Sequence, residues 1–227
     1  RKKATLRGTA IAALTIDYSE DELINGPRRL PLLFQESEEK GWAIIQALIE
    51  ILVSRTAVEF PFFMTSRQII SGPQAVTYHL SKSGKVNGRQ VVRWNPYQAP
   101  SNRQKRAISE SRQLSLLAKF LHLDAGKDSQ TLDGLFTDIW DFMKESLLVE
   151  YGSGPGEFRV DPNLLQLTSK ARWSVCEKCG SLTSLGSLGV CVAKSCDGSL
   201  VPLLDSDFER RFERNHYRQR YFLPALP

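Results

Sequence analysis

From Gly41 to about Glu59 the apolar residues Trp42, Ile45, Leu48, Ile49, Leu52 and Val53 recur at helical spacing, with Glu50 and Arg55 on the other side. Side chains so spaced share one stripe of a 3.6-residue turn, and the pattern predicts a mostly buried helix. After Phe60-Pro61 the period changes. Ala75 to Leu80 and Arg89 to Trp94 read as two strands around a turn region containing Ser83-Gly84 and Asn87-Gly88, which predicts a β-hairpin. The Pro/Gln/Ser/Asn stretch from Asn95 to Asn102 then breaks the pattern and reads as a connector, with a domain boundary expected near residues 95 to 105.

Beyond it, Leu114, Leu117 and Leu121 mark one amphipathic helix, and Leu132, Leu135, Phe136, Ile139 and Met143 mark a second, separated by a turn at Ala125-Gly126-Lys127-Asp128. The second helix runs into Leu147 to Tyr151, a glycine turn at Gly152 to Gly156, and Glu157 to Val160. Helix, helix, strand, glycine turn and strand in this order predict a winged-helix-like unit. In a DNA-reading unit of that kind, the helix before the wing carries cations or amides on its outer face. Here that face offers Asp133, Asp138, Asp141 and Glu145 against Lys144. Carboxylates repel a phosphate backbone, so this helix is expected to pack or position rather than to read DNA. The segment from Asp205 to Tyr221, with Phe208, Phe212 and Tyr217, reads as a helix edge whose arginines either touch phosphate or pair with Glu209 and Glu213.

Composition adds bounds. The 227 residues are 41% hydrophobic and 24% charged, enough for one large domain or two to three small ones. A net charge of +5 permits a polyanionic partner without demanding one. The most apolar run, Trp42 to Val53, contains Gln46 and Glu50, so no membrane span is expected and a cytoplasmic location is. The first residues, Arg1-Lys2-Lys3-Ala4-Thr5-Leu6, lack the apolar core of a secretory signal. With no initiator Met, the chain reads as an excerpt or a processed product.

The chemistry concentrates in four cysteines. Cys176-x2-Cys179, an eleven-residue gap and Cys191-x4-Cys196 give two ligand pairs on two turns. A tetrahedral Zn²⁺ takes four thiolates, and a tight turn presents two sulfurs to one ion. Gly180 and Gly198 follow the two pairs, and Ser181 to Val190 holds too little apolar side chain to form a core unaided. Two disulfides, a redox pair or four unrelated thiols are the competing readings. Zinc is favoured because all four cysteines are used and no secretion signal accompanies them. Four thiolates leave no open position for water, so the site is structural. His216 is not read as a ligand, since the tetrahedron is already filled.

A second candidate is electrostatic. Between Ser81 and Ser109 there is no acid, while Lys82, Lys85, Arg89, Arg93, Arg103, Lys105 and Arg106 fall there with Trp94 and Tyr97 interleaved. A basic hairpin with aromatics can hold a phosphate backbone and stack bases. The alternative is a solvated face with two core aromatics. The absence of acids leans toward nucleic acid.

The runs Arg172-Trp173-Ser174-Val175-Cys176-Glu177-Lys178-Cys179-Gly180, then Cys191, Cys196-Asp197-Gly198-Ser199-Leu200 and Asn215-His216-Tyr217-Arg218-Gln219-Arg220-Tyr221 resemble a segment of large bacterial superfamily 2 helicases. The relatives are DEAD/DEAH-like helicases of antiphage defence systems such as Druantia and DISARM. In them, a winged-helix-like unit and a four-cysteine module lie between motor lobes. The resemblance covers residues 100 to 221 and implies DNA and motor lobes as partners. The chain departs from those helicases in having no phosphate-binding loop and no Asp-Glu-x-His/Asp motif. ATP and Mg²⁺ would therefore belong to the parent motor and not to these residues.

The expected architecture is α+β and multi-module. Residues 1–95 form a mixed α/β region with the basic hairpin, 96–170 a winged-helix-like unit, 171–204 a four-cysteine zinc ribbon, and 205–227 a segment leading toward a motor lobe. The expected function is a non-catalytic, nucleic-acid-guiding or scaffolding portion of an ATP-dependent DNA helicase or translocase. The alternatives are a free-standing zinc-ribbon and winged-helix DNA-binding or adaptor protein, and a nuclease with structural zinc. No tight cluster of metal-hydrolase residues supports the nuclease.

Overall fold

The structure, a computed structural model, describes residues 12–54, 79–82, 91–150, 156–169, 171–204 and 206. The chain divides into one compact unit spanning Ile16–Leu165 and another built from Arg1–Thr15 with Gln166–Pro227. The fold is mixed α/β, with five helices and several small sheets among the described residues.

In the larger unit, Ser19 opens helix α1 (Glu20–Arg29) with a reciprocal cap. Its hydroxyl accepts from the Glu22 N–H at 3.3 Å, and the Glu22 carboxylate accepts from the Ser19 N–H at 2.7 Å. Such a box satisfies two of the donors that a helix start leaves orphaned. Gly26, buried on this helix, lies where any Cβ would overlap the Trp42 ring, so only glycine permits that approach. Ser37 caps α2 (Glu38–Val53), which buries Ile44, Ile45, Leu48, Ile49, Ile51 and Leu52. The helix predicted from Gly41 is therefore present and starts three residues earlier; Arg55 to Glu59 lie outside the described residues.

Trp42 stands among Tyr18, Phe34 and Phe142, with ring centroids at 4.4, 5.1 and 6.3 Å. Two strands, β2 (His79–Ser81) and β3 (Val91–Arg93), follow, then helices α3 (Ser101–Glu110), α4 (Arg112–Phe120) and α5 (Ser129–Ser146). The amphipathic pair predicted around Leu114 and Leu135 corresponds to α4 and α5. Helix α2 packs on α4, and α1 on α5. Strand β4 (Leu148–Glu150) leaves α5 directly and pairs antiparallel with β5 (Phe158–Val160). Of the predicted glycine turn at Gly152 to Gly156, only Gly156 lies among the described residues, and its N–H donates to the Glu150 carboxylate at 3.1 Å.

Two expectations fail here. Strands β2 and β3 pair in parallel, with His79 opposite Val91 and Ser81 opposite Arg93, so they are not a hairpin. Alternation identifies a strand but carries no information on the direction of its neighbour. Strand β2 takes β5 as its antiparallel neighbour, through Leu80 and Phe158, and β3 ends the sheet in the order β3-β2-β5-β4. Nor does a domain boundary fall near residue 95. That sheet draws strands from both sides of Asn95, and Asn95 itself is fully buried inside the unit. Its amide donates to the Asp133 carboxylate at 2.6 Å, and its oxygen accepts from the Tyr97 N–H at 3.0 Å. A Pro/Asn-rich stretch marks a turn, and here the turn is a short 3-10 helix at Pro96–Gln98 capped by the buried Asn95 side chain.

The smaller unit holds β7 (Ser174–Cys176) between β8 (Leu182–Thr183) and β9 (Leu200–Pro202), all antiparallel. Its described buried apolar residues include Ala13 and Trp173, with Ala171, Leu182 and Leu203 packed against them, and Leu185 and Leu188. Thr15, on β1 (Ala13–Ile16), donates its hydroxyl to the Gln166 carbonyl at 3.5 Å on β6 (Leu165–Thr168). No described helix is long and apolar enough to cross a membrane.

Candidate metal centre and basic surface

Strand β7 ends on Cys176, and the chain turns at once through Glu177 to Cys179. The Gly180 N–H closes that turn on the Cys176 carbonyl at 2.9 Å, with Gly180 at φ +67°, a conformation that favours glycine. On the other side, the Cys191 N–H donates to the Gly198 carbonyl at 3.0 Å and the Cys196 N–H to Ala193 at 3.3 Å. A Cβ at Gly198 would come within 2.7 Å of the Cys176 sulfur, so the two turns approach through a glycine. The Lys178 ammonium also bridges them by its ion pair with Asp197.

These turns converge four sulfurs. All lie within 4.8 Å of one another, with Cys176 to Cys196 at 3.5 Å and Cys179 to Cys191 at 3.6 Å. A tetrahedron of thiolates at bond lengths of about 2.3 Å has edges of about 3.8 Å, whereas a disulfide needs about 2.05 Å. All four cysteines are free thiols, so the cluster has the dimensions of a metal site and not of two bridges. Cys176, Cys191 and Cys196 are buried and Cys179 is exposed. Ala193 and Leu200 pack around the sulfurs.

The electrostatics suit a cation. The Ser181 hydroxyl, 3.1 Å from the Cys179 sulfur, holds that thiol down to about 6, while burial pushes Cys191 up to about 12. The Ala193 and Gly198 N–H groups donate to the sulfurs of Cys191 and Cys196 at 3.4 and 3.5 Å. Such donors favour thiolate, and a metal ion would displace the protons that burial retains. The four predicted ligands are thus brought together, and they could hold one metal ion. His216 lies outside the described residues.

Comparison of the chain with protein-family models, with curated proteins and with solved structures finds no match.

The described basic residues of the stretch from Ser81 to Ser109 fall beside β2, on β3 and on α3. Lys85 and Arg89 lie outside the described residues. The Lys82 ammonium is 3.8 Å from Asp141, and Arg106 pairs with Glu110 at 2.9 Å. Arg93 lies on β3. Arg103 and Lys105 are exposed on α3 with no ionic partner among the described residues. The acid-free stretch is therefore partly neutralised, by Asp141 from α5 and by Glu110 at its own C-terminal border.

The interleaved aromatics do not form a stacking platform. Trp94 is fully buried and donates its indole N–H to the Phe136 carbonyl at 2.7 Å, and the Tyr97 hydroxyl donates to Ala125 at 2.7 Å. Trp94 is thus a core residue, whereas Tyr97 is half-buried with its hydroxyl on a backbone acceptor.

The acids on α5 likewise have internal uses. Asp133 receives Asn95, Asp141 meets Lys82, and Glu145 takes Arg29 at 2.6 and 3.1 Å. Helix α3 was missed by sequence reading. It contributes no buried residue, so no apolar periodicity announced it; the signal available was Ser101 to Glu110 being free of glycine and proline.

Proposed function

We propose that the four cysteines bind Zn²⁺ as a structural site, making residues 171–204 a zinc ribbon. The observation that carries this is the convergence of four sulfurs at tetrahedral spacing on two turns joined by a three-stranded sheet. Four thiolates close the coordination sphere, so the ion acts as a core for a unit that has little apolar core of its own.

Around that scaffold, the chain serves as a nucleic-acid-guiding or scaffolding portion of an ATP-dependent DNA helicase or translocase of bacterial antiphage defence. The motif resemblance supports the motor assignment, and the ATP site belongs to residues outside this chain or to a partner. The sequence α4, α5, β4, β5 supports a winged-helix-like unit. The carboxylates of α5, engaged with Asn95, Lys82 and Arg29, support a packing role for its outer face. DNA contact falls to the cations of α3, Arg103 and Lys105.

Metal analysis of protein purified without chelator tests the first part, with one zinc per chain expected. DNA binding tests the second. Charge reversal at Arg103 and Lys105 is expected to weaken it and reversal at Asp138, exposed on α5, is not; the opposite result would overturn the assignment of surfaces.

A further inference from the structure

Strand β3, the 3-10 turn at Pro96–Gln98 and the junction of α3 with α4 surround a cleft of about 300 Å³. Its walls are apolar at Val92, Pro96 and Ala107, and polar at Arg93, Glu110 and Gln113. Gln113 is only 1% exposed. Its amide oxygen accepts from the Ser111 hydroxyl at 3.5 Å, but its amide nitrogen has no hydrogen-bond partner among the described residues. A buried N–H without an acceptor opposes folding, and native proteins leave few of them. At the wall of a cleft, such a donor matches an acceptor carried by a ligand.

The rest of the cleft narrows the ligand class. Apolar walls with one amide donor and one carboxylate acceptor suit a flat heterocycle that has both an acceptor and a donor on its edge. The surroundings suit a polyanion. Arg103 sits one turn before Ala107 on the same face of α3, and Lys105 is exposed on that helix. Arg103 and Lys105 have no ionic partner among the described residues, and the cleft's acid, Glu110, is already paired with Arg106. An extended peptide added to the β3 edge would gain backbone pairing, but the excess of cations favours phosphate.

We propose that the cleft receives one unpaired base of single-stranded DNA, with a neighbouring phosphate held by Arg103, which shares the cleft-facing side of α3 with Ala107. This rests on the nucleic-acid reading above and deepens it: the strand is single, because a paired and stacked base cannot enter a cleft walled on several sides. Gln113 is then a base-contacting residue, and α3, which contributes nothing to the core, is the element that presents the strand.

The test is fluorescence anisotropy at fixed salt with three labelled probes: a single strand of about 12 nucleotides, its duplex, and an abasic strand with the same number of phosphates. The single strand is expected to bind about tenfold more tightly than either of the others. Ala107→Leu fills the cleft from an exposed helix and is expected to remove that margin, as is Gln113→Leu, with thermal melting confirming that both variants fold. Equal binding of all three probes would overturn the base cleft and leave the phosphate-contacting surface standing. Binding of none would overturn both.

Discussion

The indole N–H of Trp94 donates to the backbone carbonyl of Phe136 at 2.7 Å, and the two rings meet edge to face with centroids 5.4 Å apart. That pair ties the residue after β3 to the middle of α5, and it decides the role of an aromatic that sequence had set among basic residues. Trp94→Ala is expected to cost about 3–5 kcal/mol of unfolding free energy, and Trp94→Phe about 1 kcal/mol for the lost hydrogen bond. Urea denaturation of the two variants checks this. A Trp94→Ala protein with unchanged stability and weaker DNA binding would restore the stacking role.

Tyr97 supplies a pH signature for the same region. Burial raises its phenol to about 12, with Asp133, Asp124 and Asp128 adding to the effect. Because the folded value lies above the unfolded value of about 10, the stabilisation is fully present below pH 10 and is lost as pH rises from about 10 through 12. Alkaline unfolding followed by circular dichroism is expected to show a component in that window that disappears in Tyr97→Phe.

Metal removal should act on one unit. Structural zinc contributes about 10–16 kcal/mol to the folding of small modules, more than the burial of Ala13, Trp173, Leu185 and Leu188 supplies. Chelation, or Cys176→Ser, is expected to abolish hydrogen-exchange protection across residues 174–202 while residues 38–53 keep theirs. Retained protection at 174–202 in metal-free protein would remove the scaffold role.

Gly198 offers a finer probe of the same site. A methyl group there would meet the Cys176 sulfur and the Lys178 side chain, each at 2.7 Å, without altering any ligand. Gly198→Ala is expected to weaken zinc binding about 10- to 100-fold, as changes at residues supporting metal ligands do. Competition with a chromogenic chelator measures it, and an unchanged affinity would show that the two turns do not need this approach.

The four-cysteine cluster was legible in the chain because its determinants are local. Two cysteines on one tight turn are fixed by a spacing of a few residues, and Gly180 and Gly198 sit where those turns need them. Helix α2 was legible for a similar reason, since Ile45, Leu48, Ile49 and Leu52 repeat within one element. Helix α3 was not, because Ser101 to Glu110 buries nothing and so leaves no periodic trace.

Sequence alone determined where the sulfurs are, that the protein mixes helices with strands, and that residues 81 to 109 carry cations without acids. Tertiary structure decided which groups those cations and aromatics meet. Asp141 reaches Lys82 and the Phe136 carbonyl receives Trp94, each from far along the chain. It also decided that β2 and β3 run parallel, and that Gln113 ends beside Val92 and Ala107 with an unanswered donor. Spacing encodes interactions within a turn or an element, but charge pairing, strand direction and the surroundings of a buried amide depend on segments that meet only when the chain has folded.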